Sequence, residues 1–279
     1  MVLKSYAKIN LSLNLKKRLK NGLHDLKSVY CLINLNDKIS IKKLKNKNKD
    51  QIFFKGPYSK FVNRNNNSVK KVLHILRKQK LISAFYSVKV YKNIPVFAGL
   101  GGGTSNAATI LKNLAKKKLI KSKLNKITKF IGSDLTLFFH NQGYLKNVET
   151  AKKFDKKYKL YFLLVYPNIK CSTKEVFSRV KRFSRSKNIS QTDLKSKKKF
   201  IDFLINSNND LQSIVEKKHS IIQKILKNIA EEEGCYFSRM TGSGSTCYGL
   251  FVNKNCSKVA LKNLRKKYPK FWFSIAKTI

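Results

Sequence analysis

Residues 95–109 read Pro-Val-Phe-Ala-Gly-Leu-Gly-Gly-Gly-Thr-Ser-Asn-Ala-Ala-Thr, and four of the chain's twelve glycines stand between Gly99 and Gly103. A strand pattern precedes them, with Val88 and Val90 alternating with polar neighbours. A helix pattern follows, with Ala107, Ile110, Leu111 and Leu114 at i, i+3, i+4 and i+7. Glycines between a strand and a helix let the backbone approach a ligand closely, because no Cβ intervenes. The unpaired amides and positive dipole end of the helix then favour an anion. Thr104, Ser105 and Asn106 add side-chain donors or cap the helix. A glycine-rich turn with a capped helix is the simpler reading of the same residues. The stretch fits neither the lysine-ending phosphate loop nor the dinucleotide fingerprint.

The loop resembles the Pro-x-x-x-Gly-Leu-Gly-Ser-Ser-Ala-Ala loop of the GHMP kinases. Its Gly-Leu-Gly-Gly-Gly-x-Ser-Asn-Ala-Ala form resembles one branch, whose acceptor is a cytidine diphosphate-linked methylerythritol of the non-mevalonate isoprenoid pathway. The resemblance implies a two-domain α+β fold with the active site in the cleft between domains. It implies an N-terminal ATP-binding and catalytic domain at 1–155 and a C-terminal domain at 156–279. ATP and Mg2+ are the implied cofactors, and the implied reaction is phosphorylation of the acceptor's 2-hydroxyl.

Other segments bear on that resemblance. Residues 5–15 alternate, with Ile9, Leu11, Leu13 and Leu15 on one face and Lys8, Asn10, Ser12 and Asn14 on the other, which predicts a half-buried strand. By default Lys8 is a solvent-facing lysine. The Ala7-Lys8-Ile9-Asn10-Leu11 segment resembles the branch's first motif, which implies a lysine beside the acceptor hydroxyl and makes Asn10 a substrate contact. Asn21-Gly22-Leu23-His24-Asp25-Leu26 contains a turn signal. Its match to a Gly-Tyr-His-Glu-Leu motif implies that His24 sits at the cytidine end, with Leu23 in place of the tyrosine. Asn67 opens a predicted helix as an N-cap. The resemblance places Asn67, Lys92 and Pro95 with Gly99, Gly101, Gly102, Gly103, Thr104, Ser105 and Asn106 around the nucleotide. Asp134, in Gly-Ser-Asp, is one of only 14 acids and reads either as a helix cap or, by the resemblance, as the catalytic base. Ser133 and Thr136 depart from the family pattern there. Thr173 and Phe177 match a substrate loop, Phe177 reading otherwise as a core aromatic. Gly242, Ser243 and Gly244 match a third motif that lies against the glycine loop. No metal ligands are legible beyond Ser105 as one candidate.

Charge raises a rival. Sixty-one Lys and Arg against 14 Asp and Glu leave a net charge of +47, which invites a nucleic-acid partner. The excess is mostly lysine spread along the whole chain, without an arginine cluster or an aromatic platform, and suits a composition bias equally well. A homoserine- or mevalonate-type kinase is the closer alternative. The five cysteines are scattered without a CxxC pair, as in a reduced cytosolic protein. The longest clean apolar run, Tyr161–Tyr166, is too short to span a bilayer. The expectation is a cytoplasmic enzyme with no membrane or specific nucleic-acid partner. Residues 149–159 read as a boundary, 181–199 as a basic linker, and Gly234 as the stop of a helix over 220–230.

Overall fold

Alternating apolar residues open the chain as strand β1 (Val2–Asn10), but the strand breaks and resumes as β2 (Asn14–Arg18). The expected polar face is not solvated: Lys8, Asn10, Ser12 and Asn14 are all buried, like their apolar neighbours. Buried polar groups need partners, and these have them. The Asn10 amide donates to Ser28 Oγ at 2.8 Å, and Ser12 Oγ accepts from the Val29 N–H at 3.1 Å. The computed structural model describes all residues except 20, 21, 23, 116–119, 148, 149 and 185–188. Asn21 and Leu23 of the predicted turn therefore lie outside the described residues.

The chain forms two compact units that interleave in sequence. The first comprises Met1–Lys8, Leu35–Val96 and Gly101–Phe139. In it, β3 (His24–Lys43) contributes its second half, pairing antiparallel with β5 (Tyr86–Tyr91), which pairs parallel with β4 (Gln51–Lys55). The crossover from β4 to β5 runs through α1 (Ser68–Lys78), as a parallel pair requires. Helix α1 buries Val69, Val72, Leu73, Ile75 and Leu76, each burial contributing about 1.5–3 kcal/mol. Helices α2 (Gly102–Ala115) and α3 (Lys121–Ile131) pack on α1, and a 3-10 segment, Ser133–Phe139, follows.

The second unit comprises Ile9–Asn34, Phe97–Leu100 and His140–Ile279. The first half of β3 pairs antiparallel with β2 and with β6 (Gln142–Asn147). The expected boundary at 149–159 contains a strand, β7 (Thr150–Lys153), hairpinned onto β6. A second sheet, entirely antiparallel, is ordered β11–β8–β10–β9, from β8 (Tyr161–Tyr166), β9 (Cys235–Met240), β10 (Cys247–Phe251) and β11 (Trp272–Lys277). Helices α7 (Ile221–Ala230) and α8 (Lys254–Lys267) cover it, with Ile222, Ile225, Leu226 and Ile229 of α7 buried. Helix α7 ends at Ala230; Gly234, at φ 73°, belongs instead to the turn into β9. Short helices α4 (Thr173–Ser178), α5 (Lys197–Ile205) and α6 (Gln212–Lys218) complete the unit. Helix α5 thus takes the end of the expected basic linker. All five cysteines are free thiols. Among the described residues no helix is long and apolar enough to cross a membrane.

Candidate active site

The glycines meet three different demands. Gly101 has φ 67°, and a Cβ there would lie 2.9 Å from Phe138 and 3.0 Å from Lys8 Cγ. Gly99 has φ 77°, and its Cβ would meet the Thr241 carbonyl oxygen at 2.3 Å. Gly103 is exposed, and its Cβ would find only Ser68 Oγ at 3.4 Å, so close packing does not explain it. Helix α2 starts within the run: the Ser105 N–H donates to the Gly101 carbonyl at 2.9 Å. The amides of Gly102, Gly103 and Thr104 accordingly have no acceptor within the helix.

That early start moves Ser105 and Asn106 inside the helix, so they do not cap it. The Ser105 hydroxyl donates to the Tyr6 carbonyl at 2.6 Å and hydrogen-bonds Ser5 Oγ at 2.8 Å. Asn106 donates to Ser5 Oγ and to Asp37 Oδ2, each at 2.9 Å, and accepts from Lys92 Nζ at 3.1 Å. Lys92 is buried, not a surface lysine, and its ammonium is ion-paired with Asp37. Burial pushes that ammonium below the usual lysine value, and the Asp37 carboxylate opposes the shift. The other Asp37 oxygen accepts from the N–H groups of Asn93 (2.7 Å) and Ile94 (2.9 Å). Asp37 therefore ties the strand end before the loop to the helix after it.

Asp37 was not among the residues expected at the site. Its signal is an acid at the middle position of Leu35-x-Asp37-x-Ile39, on the same strand face as two apolar residues. An acid on a buried face needs a cation, but nothing local says which.

The second pair is more open. Lys8 Nζ lies 3.2 Å from Asp134 Oδ2, the lysine side chain 4% and the aspartate 39% exposed. Lys8 also packs its stem over Gly101, so this pair adjoins the N-terminus of α2. Asp134 stands in the first turn of the 3-10 segment. Asn67 caps α1 by accepting the Lys70 N–H at 3.0 Å. Pro95 is buried in the same unit.

In the other unit, the Thr241 hydroxyl accepts the Asn10 N–H at 3.0 Å. The Gly242-Ser243-Gly244 turn sits against the first residues of the glycine loop: Thr246 N–H donates to the Ala98 carbonyl at 3.2 Å. Asn209 pins the turn by donating to the Met240 and Gly242 carbonyls at 2.7 and 2.8 Å. Thr173 and Ser243 join hydroxyls at 3.0 Å. The His24 and Phe177 rings are in contact, with centroids 5.4 Å apart. Partial burial, then the nearby Arg18 guanidinium, hold the His24 imidazole below its ordinary value of 6.5. Within this unit His24 joins Phe177, and Thr173 joins Ser243. Within the first unit Lys8 joins Asp134, and Lys92 joins Asn106.

Comparison with known proteins gives the family. Residues 67–140 match the GHMP kinases N terminal domain, and 187–270 match GHMP kinases C terminal. The chain is 36% identical over 283 residues to 4-diphosphocytidyl-2-C-methyl-D-erythritol kinase of Pelagibacter ubique, covering 99% of this chain and 98% of that one. It is 30% identical to the enzyme of the same name from Caldanaerobacter subterraneus, over 99% and 96% of the two chains. A crystal structure of 4-(cytidine 5'-diphospho)-2C-methyl-D-erythritol kinase shares the fold, with a TM-score of 0.74 at 20% identity over 99% of both chains. With both family matches and 36% identity over nearly the full length of both chains, the chain belongs to the GHMP kinases, among the 4-diphosphocytidyl-2-C-methyl-D-erythritol kinases.

Proposed function

We propose that this chain transfers the γ-phosphoryl group of ATP to the 2-hydroxyl of 4-diphosphocytidyl-2-C-methyl-D-erythritol, giving the 2-phosphate and ADP. The observation that carries the reading is the Lys8–Asp134 pair packed against Gly101, at the start of α2. GHMP kinases use ATP as phosphate donor. An alcohol is a poor nucleophile at neutral pH, so its proton needs an acceptor within hydrogen-bond reach. Asp134 is that base, and its exposure leaves a carboxylate oxygen open to an acceptor hydroxyl. The Lys8 ammonium offsets negative charge on the reacting oxygens.

The amides of Gly102, Gly103 and Thr104 and the dipole of α2 hold the phosphates. Lys92 acts from beneath: its ammonium lies 3.4 Å from where a Gly102 Cβ would be. Asn67 and Pro95 border the nucleotide on the same unit. Among the described residues no group of three His, Cys, Asp or Glu is placed to hold a metal. Ser105 does not fit as a magnesium ligand, since its hydroxyl is engaged by Tyr6 and Ser5. Magnesium is proposed as part of the incoming nucleotide, where it offsets charge on the β and γ oxygens.

Asn10, His24, Thr173, Phe177 and the Gly242–Gly244 turn take the acceptor. Phe177 gives the cytosine a stacking face, and the neutral His24 imidazole can donate from one nitrogen and accept at the other. The division into a catalytic half at 1–155 and a second half at 156–279 is part of the same proposal, supported by the positions of the two family matches. The setting proposed is the cytoplasm.

A coupled ADP-release assay with the cytidine-linked alcohol, homoserine and mevalonate tests the reading. Turnover is expected with the first alone. Turnover of homoserine or mevalonate instead would leave the family standing and remove the substrate.

A further inference from the structure

The pairing of β3, β4 and β5 in the first unit fixes which of their residues share a face. On the inner face Ile39 of β3 and Val88 and Val90 of β5 are buried. Asp37, two residues before Ile39, is on that face and there accepts from Asn106 of α2. Alternation turns the intervening residues the other way, away from α2 and its glycines. The outer face carries Lys38 and Lys42 of β3, Lys89 and Tyr91 of β5, and Phe53 and Lys55 of β4, all six exposed.

Rings and charges alternate across the strands as well as along them. Phe53 is in register with Lys89, and Tyr91 with Lys55 on one side and Lys38 on the other. Each ring is half exposed, Phe53 at 48% and Tyr91 at 49%. Strand spacing and rise set the two about 8 Å apart. Residues 38–43, 51–55 and 86–91 contain no Asp or Glu. Asp50, just before β4, is taken by the Arg77 guanidinium and the Tyr86 N–H, and so leaves the charge of the face uncompensated.

That alternation selects a partner. A second copy of the chain would set lysines against lysines. A lipid surface takes a contiguous apolar patch, whereas here each ring is in register with a lysine. A duplex keeps its base faces stacked and offers the lysines phosphates alone. A single strand offers phosphates to the lysines and unstacked base faces to the rings.

We infer that the outer face of β3, β4 and β5 binds single-stranded nucleic acid without regard to sequence. Phe53 and Tyr91 are its stacking faces, and the four lysines hold the phosphates. Net charge alone would attract any polyanion; two rings on one basic face are what a bias toward lysine does not supply. The platform exists only once three separate segments pair, which is why no aromatic platform is legible along the chain. It shares no residue with the proposed phosphoryl-transfer site, so the two readings stand or fall separately.

Fluorescence anisotropy with labelled dodecamers of uridine and of thymidine tests this, with a nonhydrolysable ATP analogue present to fill the phosphate site at α2. Phe53→Ala and Tyr91→Ala are each expected to weaken binding about 5- to 150-fold, the worth of one base–aromatic stack. Tyr91→Phe is expected to keep it. Lys89→Gln is expected to flatten the salt dependence by about 0.7 in log–log slope, as for one phosphate contact on a single strand. Inorganic polyphosphate, which has charge without bases, should bind the alanine variants as it binds the parent, and their kinase turnover should also match. Unchanged dodecamer affinity in both alanine variants overturns the inference. So does an equal loss of polyphosphate binding, a duplex bound as tightly as the single strand, or the same change of slope in Lys262→Gln on α8. Should an alanine variant not fold, photocrosslinking of a 4-thiouridine dodecamer to the parent decides. Crosslinked peptides spanning 51–55 or 86–91 support the face, and crosslinks confined to other segments overturn it.

Discussion

Among the described residues, the first unit holds two lysine–aspartate pairs that sequence alone would treat alike, and they differ in the burial and hydrogen bonding of the aspartate. Lys92 and Asp37 are 3% and 0% exposed, and the Asp37 carboxylate takes four donors. Lys8 is as buried, but its partner Asp134 is 39% exposed. A carboxylate with every lone pair engaged in a dry site cannot receive another proton donor; it can only hold things in place. A carboxylate tied to one ammonium and open to solvent keeps room for a substrate hydroxyl. Burial and hydrogen-bond saturation, not the presence of an ion pair, separate Asp37 from the acid proposed as the base. The two pairs contact successive glycines: Lys8 packs on Gly101, and Lys92 lies by Gly102.

The comparison breaks most sharply at Asp134. Asp134→Asn is expected to lower turnover by ~10²–10⁴, the usual worth of a general base, with nucleotide affinity and Tm close to the parent's. Near-normal turnover in a folded variant would give the proton to another group. Asp37→Ala should do the reverse. It strands a buried ammonium, which costs about 3–5 kcal/mol, read as a fall in Tm and in the denaturation midpoint. A variant as stable as the parent would show that the pair is not structural.

A pH series sharpens the same contrast. Without Asp37 only burial acts on Lys92, so its folded value drops further below the ordinary 10.5. The unfolded chain then binds more protons than the folded one between those two values, and stability rises with pH across that window. The deficit of Asp37→Ala relative to the parent should therefore narrow between neutral pH and about pH 10, measured by denaturant titration at each pH. A constant deficit would mean that the loss comes from the Asn93 and Ile94 amides and not from the charge.

The smallest effect belongs to Gly103, which of the three consecutive glycines is the one that neither lysine touches. Gly103→Val puts a branched Cβ where phosphate oxygens must approach, with only Ser68 nearby. It should weaken an ATP analogue about tenfold while leaving Tm near the parent's. Unchanged affinity would make Gly103 part of a turn and nothing more.

Much of this was legible in one dimension. The helical stripe of α7 and the buried run of β8 follow from local spacing, because a helix or strand repeats its own geometry every few residues. The glycine run, Asp134 between Gly-Ser and an apolar stretch, and the cap at Asn67 were legible for the same reason: each is a local device. What sequence could not decide is which distant residues meet. The alternation of residues 5–15 predicts a polar face in water, and that face is buried because β3 and a loop 194 positions away in sequence bring it partners. Lys92 looks like any lysine until the fold brings Asp37 to it across 55 positions. Local patterns are fixed by the stereochemistry of neighbouring residues. Which charge meets which, and which acid stays open, depends on long-range packing, and in this chain that packing alone separates Asp134 from Asp37.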